Sequence, residues 1–120
     1  MPNAYIFDGK NSIIVNFNDT DDWRLSHCIT FHPTNDNIVY VFSGRKRGHY
    51  VERDLKLTLS PMYKETEITN LPYMVHNPGC EGFIKPNGKA AILIVGGAKF
   101  GECTDNVFEY DVESDSYMLK

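Results

Sequence analysis

The chain has 120 residues and a formal net charge of −4, with 42% hydrophobic and 23% charged residues. These values are typical of a globular protein, and they exclude an intrinsically disordered chain and the basic excess of a nucleic-acid-binding domain. The longest uninterrupted apolar run, residues 90–95, is too short to span a bilayer, and the first residues lack the pattern of a secretory signal.

Strand patterns dominate the sequence, and helical periodicity is scarce. Short apolar or alternating runs separated by Gly, Pro, Asn and Asp predict about eleven strands in an all-β fold. In chain order, these runs cover residues 4–7, 12–17, 23–25, 27–31, 38–42, 51–59, 63–69, 82–84, 90–95, 106–111 and 116–119.

The cysteines are three in number, Cys28, Cys80 and Cys103, and no two are close in sequence. An odd count without close pairs favours a reducing compartment, in which cysteines serve as small core residues. The sequence therefore predicts a cytoplasmic protein without a disulfide framework.

The most informative stretch lies at the carboxyl end. Four apolar residues at 92–95 are followed by Gly96 and Gly97, then by Tyr110 and Asp111, and Tyr117 lies seven positions after Tyr110. This pattern resembles a kelch repeat, in which the last aromatic is usually Trp. The resemblance is good over residues 90–120 and weaker before them, and it implies that each unit is one blade of a β-propeller.

Apolar runs that close at a glycine occur three times, at Gly9, Gly44 and Gly97. The last two glycines are roughly 50 residues apart, which fits a kelch period, whereas the first interval is nearer a WD repeat. We therefore expect one all-β unit over residues 1–120, with blades at approximately 3–25, 26–70 and 80–120. The predicted fold is an incomplete kelch-type β-propeller of about three four-stranded antiparallel blades. A small β-sandwich is the alternative fold.

Three blades cannot close a ring, because propellers need about four to eight of them. The chain is then a fragment of a longer protein, it self-associates, or another chain completes the propeller. We expect association through the open ends of the blade stack.

Two loops supply the candidate partner-binding residues. Residues 44–50 form the densest basic patch, with Arg45, Arg47 and His49, and this patch is either a contact for an acidic peptide or a solvated charged loop. Residues 98–104 form the equivalent loop of the last blade. There Lys99 is charged, and Phe100 either anchors a partner or folds back onto the blade.

The resemblance also implies structural roles. The glycines that close the apolar runs are backbone devices, Trp23 packs between blades, and the tyrosines occupy aromatic positions of the repeat. These structural residues are Gly44, Gly96, Gly97, Trp23, Tyr110 and Tyr117.

Catalytic and metal-binding patterns are weak. No nucleophile elbow occurs, and no histidine has zinc-ligand spacing. We therefore predict a non-enzymatic module without cofactor or metal, a scaffold or adaptor that binds a protein partner rather than nucleic acid or membrane. The alternatives are part of a propeller enzyme or carbohydrate-binding protein, and a structural subunit of a larger assembly.

Overall fold

The computed structural model describes residues 3–7, 12–16, 27–46, 49–50, 53–73 and 75–120, with side chains in 27–44, 53–73 and 75–120. Fourteen strands and no helix occupy this described backbone. The strands are β1 (Asn3–Phe7), β2 (Ser12–Asn16), β3 (Cys28–His32), β4 (Asn35–Phe42), β5 (Arg45–Lys46), β6 (His49–Tyr50), β7 (Leu55–Thr58), β8 (Lys64–Glu67), β9 (Gly79–Ile84), β10 (Ala90–Val95), β11 (Ala98–Lys99), β12 (Glu102–Cys103), β13 (Val107–Asp111) and β14 (Ser116–Leu119). The prediction of an all-β fold is confirmed. In the described ranges no helix has the length and apolarity to cross a membrane.

Two four-stranded antiparallel sheets make up most of the structure. The first sheet has the order β3-β4-β7-β8, and the second has the order β9-β10-β13-β14. Strands that are consecutive within a sheet are neighbours, as expected when short turns join antiparallel strands. Branched and aromatic residues fill the central strands, for example in the sequence AAILIV of β10.

Short hairpins complete the layout. In chain order, the pair β5–β6 connects the second and third strands of the first sheet, β4 and β7. The pair β11–β12 connects the second and third strands of the second sheet, β10 and β13. The sequence analysis treated both segments as loops, because strands of two residues leave no alternating pattern. The pair β1–β2 is a separate two-stranded sheet. The rest of the predicted blade at 3–25, including Trp23, lies outside the described residues.

An apolar core joins the two sheets. Tyr40 and Phe42 of β4 contact Tyr110 of β13, with ring centroids 5.8 and 5.6 Å apart. Because side chains alternate along a strand, Tyr40 and Phe42 lie on the same face of the first sheet, and this face packs against the second sheet. We call this cluster the intersheet core. Its buried members are Cys28, Tyr40, Phe42, Leu71, Val75, Ile92, Ile94, Phe108 and Tyr110.

The opposite face of the first sheet is also buried. Val39 and Val41 of β4 lie in register with Leu57 and Leu55 of β7, and all four are fully buried. Ile29, Phe31, Leu59 and Tyr63 pack around this second cluster. The first sheet is therefore apolar on both of its faces.

A disulfide links the first strands of the two sheets. Cys28 of β3 and Cys80 of β9 are bonded, with Cα atoms 6.0 Å apart, and Cys103 is free and exposed. The prediction that the cysteines are unpaired is wrong for Cys28 and Cys80, because the stacking of the sheets brings together residues that are distant in sequence. The cytoplasmic location, which rested on unpaired cysteines, loses that support and stays a prediction.

The two sheets approach closely beside this disulfide. A Cβ atom added at Gly82 of β9 would lie 2.9 Å from the carbonyl oxygen of Phe31 and 3.0 Å from Pro33. Glycine therefore allows β9 to pack against the end of β3.

Hydrogen bonds tie the connection between the sheets to the second sheet. The carboxylate of Asp115, in the β13–β14 turn, accepts hydrogen bonds from the Thr69 amide at 3.0 Å and the Tyr110 hydroxyl at 2.7 Å. The hydroxyl of Tyr117 donates to the Thr69 carbonyl oxygen at 2.6 Å. The aromatic side chains of the intersheet core thus fasten the chain segment that leaves β8.

Candidate functional site

The strands β4 and β10 are each followed by two residues with positive φ. Ser43 and Gly44 have φ of 63° and 112°, and Gly96 and Gly97 have φ of 67° and 98°. Each pair turns the chain out of its sheet and into a short hairpin. We call the surface formed by hairpins β5–β6 and β11–β12, together with residues 72–73 and 75–76, the hairpin rim.

Val75 and His76 bring the two turns together. The Gly44 amide donates to the carbonyl oxygen of Val75 at 3.3 Å, and His76 and Ala98 exchange two backbone hydrogen bonds of 2.9 Å. A Cβ atom at Gly97 would lie 2.8 Å from Cγ2 of Val75. Both hairpins therefore begin beside one extended segment, at the same end of the two sheets.

A buried polar network holds this end of the structure. The carboxylate of Asp54 accepts hydrogen bonds from the amides of Ser43 at 2.8 Å and Leu71 at 2.6 Å. The hydroxyl of Ser43 accepts from the Val75 amide at 3.1 Å and donates to the Val75 carbonyl oxygen. A buried carboxylate is stable only when it is hydrogen-bonded in this way, so the network fixes the base of the hairpin rim.

Phe100 lies at the tip of the second hairpin. Phe100 and Gly101 form its two-residue turn, with φ of 51° and 82°. Turns with positive φ at both positions favour Asn-Gly or Asp-Gly, and a bulky residue at the first position is an outlier. The Phe100 side chain is nevertheless 80% exposed. An aromatic group is thus presented to solvent from an unfavourable backbone conformation.

Lys99 lies between two aromatic rings. Its Nζ atom is 5.1 Å from the ring centroid of Tyr73 and 5.8 Å from that of Phe100. Both distances fall within the range of cation–π attraction. These contacts hold the cationic group of Lys99 at the rim, beside the exposed ring of Phe100.

The predicted partner-binding residues fall on these two hairpins. The structure brings Lys99 and Phe100 together on β11–β12, whereas Arg45 and His49 lie on β5–β6, where only the backbone is described. Arg47 lies outside the described residues. The two hairpins start at the same segment, so the two predicted loops contribute to one end of the structure.

Five of the predicted structural residues are described, three of them at this site and two in the core, and Trp23 lies outside the described residues. Gly44, Gly96 and Gly97 form the turns, and Tyr110 and Tyr117 belong to the intersheet core, with ring centroids 5.0 Å apart. Tyr73 was missed by the sequence analysis, because it follows Pro72 in an irregular stretch without periodicity. The one available signal was the presence of an aromatic residue in a turn-rich segment.

The tyrosines with raised pKa values lie in the core rather than at the rim. Burial, with a contribution from the Asp115 carboxylate, raises the pKa of Tyr40 to about 12. Burial likewise raises the pKa of Tyr110 and of Tyr117. These phenols stay protonated at neutral pH and serve packing and hydrogen bonding. Among residues with described side chains, no three His, Cys, Asp or Glu side chains form a group that could hold a metal ion.

Comparison with known proteins supports the fold. No protein-family model and no curated protein matches the sequence. A solved structure of a fungal alcohol oxidase of the AA5 family, in complex with copper, aligns with a TM-score of 0.67 and 14% identity, over 98% of this chain and 26% of the oxidase. A structure of YjhT aligns with a TM-score of 0.59 and 16% identity, over 81% of this chain and 27% of YjhT.

The chain thus spans about a quarter of each of these longer proteins. At 14% and 16% identity, the likeness shows a shared fold and carries no residue-level assignment.

Proposed function

We propose that this chain is a protein-interaction module of kelch-type propeller architecture, which binds a partner protein through the hairpin rim. The observation that carries the proposal is the exposed Phe100 on a positive-φ turn. Backbone outliers of this kind cost about 1–3 kcal/mol and cluster at functional sites. Because the residue is 80% exposed, most of the aromatic group is accessible to a partner.

The rest of the rim is suited to binding. Aromatic residues dominate interface energetics when a partner buries them, and a rigid support lowers the entropy cost of association. The Asp54 network and the paired His76 and Ala98 backbones supply that support. Lys99 adds a cation beside the aromatic ring, and Arg45 and His49 lie on the other hairpin, which begins beside the same segment.

The propeller proposal is supported by the repeated layout of the two sheets and by their stacking through apolar faces. The outer face of the second sheet carries Val95, which is 46% exposed, and Met118, which is 58% exposed. Glu109 on this face already pairs with Lys120 at 3.0 Å and Lys85 at 3.8 Å. A further sheet could therefore cover the face without desolvating an unpaired carboxylate.

We propose that another chain, or further copies of this one, covers that outer face and completes the propeller. Light scattering coupled to size-exclusion chromatography tests it. We expect concentration-dependent association that Val95→Lys reduces. A monodisperse monomer at all concentrations would favour the alternative, a small sandwich of two stacked sheets.

A second candidate function is part of an enzyme, and the similarity to the copper-containing alcohol oxidase favours it. Alcohol-dependent oxygen consumption by the intact protein with added Cu²⁺ tests this candidate. Turnover above that of Cu²⁺ alone would favour an oxidase over an interaction module. The other two alternatives, a carbohydrate-binding protein and a structural subunit, have no specific observation in their favour.

The experiment for the rim uses Phe100→Asn. Asn favours positive φ, so we expect the variant to be more stable by about 0.5–1 kcal/mol, while losing the aromatic anchor. Peptides selected from a displayed random dodecapeptide library on the wild-type protein should bind Phe100→Asn at least tenfold more weakly. Unchanged binding by Phe100→Asn, or no enriched peptide, would contradict the proposal.

The matched control is Met62→Ala. Met62 is 79% exposed, and it lies beyond the end of β7 that faces away from the rim. Its substitution removes an equally exposed apolar side chain and should leave peptide binding unchanged.

A further inference from the structure

The charge of the rim differs from that of the chain as a whole. The net charge is −4, yet the described residues of hairpins β5–β6 and β11–β12 include three cationic residues, Arg45, Lys46 and Lys99, and one acidic residue, Glu102. A local excess of one sign on a chain of the opposite sign concentrates oppositely charged ligands at that surface. The rim is therefore suited to an anionic partner.

Lys99 gives this preference a fixed geometry. Its ammonium group lies within 6 Å of the Tyr73 and Phe100 ring centroids, so the side chain is oriented before a ligand arrives. An oriented cation loses less conformational entropy on forming an ion pair than an extended surface lysine does. A carboxylate placed at Nζ of Lys99 would lie next to the exposed ring of Phe100.

The arrangement favours a peptide over a nucleic acid. Phosphate backbones require many spaced cations, and the described residues of the two hairpins supply three, Arg45, Lys46 and Lys99. One carboxylate and one neighbouring apolar side chain could contact Lys99 and Phe100 together, since Nζ of Lys99 lies 5.8 Å from the Phe100 ring centroid. We propose that the rim recognises an acidic linear peptide segment, with a carboxylate at Lys99 and an apolar side chain on Phe100. This inference rests on the proposed function and specifies its partner.

The first test is the composition of the dodecapeptides selected on the wild-type protein. We expect enrichment of sequences that combine Asp or Glu with an apolar residue. An enriched acidic peptide is then compared with its Asn/Gln counterpart by fluorescence anisotropy. The counterpart should bind at least tenfold more weakly, and added salt should weaken only the acidic peptide.

The second test uses Lys99→Met, which keeps an apolar stem and removes the charge. It should weaken the acidic peptide by about tenfold, the usual effect of losing one charge-assisted hydrogen bond. It should leave the Asn/Gln counterpart unaffected. Lys89→Met is the matched control, since Lys89 precedes β10 at the end opposite the rim and pairs with Glu113.

The outcomes separate the two proposals. Peptides that depend on Phe100 but are neutral or basic would overturn the acidic partner and leave the interaction module standing. Equal binding of the acidic peptide and its Asn/Gln counterpart would likewise overturn the acidic partner and leave the interaction module standing. If no peptide depends on Phe100, the proposed function fails and this inference fails with it.

Discussion

The two four-stranded sheets share one layout but differ in what covers them. In the first sheet, Val41 and Phe42 point to opposite faces of β4 and both are fully buried. In the second sheet, Ile94 is buried in the intersheet core, whereas Val95, the next residue, is 46% exposed. The same strand order thus produces one sheet with two covered faces and one sheet with an open face.

The edge strands β8 and β14 also differ in polarity, and the more apolar one again belongs to the second sheet. The edge strand of the first sheet, β8, has the sequence KETE, and Arg53 pairs with Glu67 at its end. The edge strand of the second sheet, β14, has the sequence SYML and exposes Met118 and Leu119. Charged edge strands resist pairing with other chains, and apolar ones permit it. We therefore expect association to involve the second sheet.

Substitution of equivalent residues measures the difference between the faces. Phe42 and Val95 each precede the positive-φ turn of their sheet. Phe42→Ala should lower the free energy of unfolding by about 3–5 kcal/mol, because it leaves a cavity in the intersheet core. Val95→Ala should cost less than about 1 kcal/mol, because half of its side chain is already in solvent. Urea denaturation checks both values, and equal losses would mean that the outer face is covered.

The disulfide tests how firmly the two sheets are joined. Cys28 and Cys80 are separated by 52 residues, and closing a loop of that length stabilises a fold by about 4 kcal/mol in the chain-entropy model. The double substitution Cys28→Ser with Cys80→Ser should lower the free energy of unfolding by about that amount. Cys103→Ser is the control and should have no effect. A wild-type melting temperature that does not change under reducing conditions would contradict the link.

Local sequence patterns were sufficient to predict the longer strands. The apolar run before Gly96 and Gly97 predicted β10 and its end, because branched residues favour strands and two glycines permit positive φ. The turn-rich residues 112–115 predicted a hairpin, and the structure pairs Tyr110 of β13 directly with Tyr117 of β14. Strand ends and hairpins depend on residues that are neighbours in sequence, so they can be predicted from local patterns.

Contacts between distant segments were not predictable in the same way. The bond between Cys28 and Cys80 and the contact of Tyr73 with Lys99 depend on how the sheets stack, which no local pattern specifies. The hairpins β5–β6 and β11–β12 were missed because strands of two residues have no measurable alternation. At the site, Lys99 and Phe100 were identified as candidates by residue type. The contact of the Lys99 ammonium group with the Tyr73 ring became visible only in the structure.

The glycine turns permit a finer test of the join between the sheets. Gly97→Ala meets two penalties, a φ of +98° and a Cβ atom 2.8 Å from Val75, and should cost about 3 kcal/mol. Gly88→Ala is the matched control, because its φ of +83° is similar and no atom lies within 4 Å of the added Cβ. It should cost about 1 kcal/mol. Equal losses in thermal denaturation would show that Val75 does not pack against this turn.

The smallest expected effect concerns Asp115, which joins the second sheet to the segment leaving the first. Burial alone would raise the pKa of Asp115, but the hydrogen bonds from Tyr110 and from the amide and hydroxyl of Thr69 outweigh it and lower the pKa. A lowered pKa in the folded state stabilises the protein fully above the unfolded value of about 4, and this stabilisation is lost as the pH falls through the folded value.

Asp115→Asn keeps a residue that tolerates the φ of 51° and removes the charge. It should cost about 1–2 kcal/mol at pH 7, because an amide group replaces a carboxylate that accepts hydrogen bonds from Thr69 and Tyr110. The difference in unfolding free energy between wild type and variant should shrink below pH 4, as the wild-type carboxylate becomes protonated. Asp105→Asn, at an exposed position, should match wild type throughout. A difference between wild type and Asp115→Asn that is constant from pH 7 to pH 2 would show that the charge of Asp115 does not hold the two segments together.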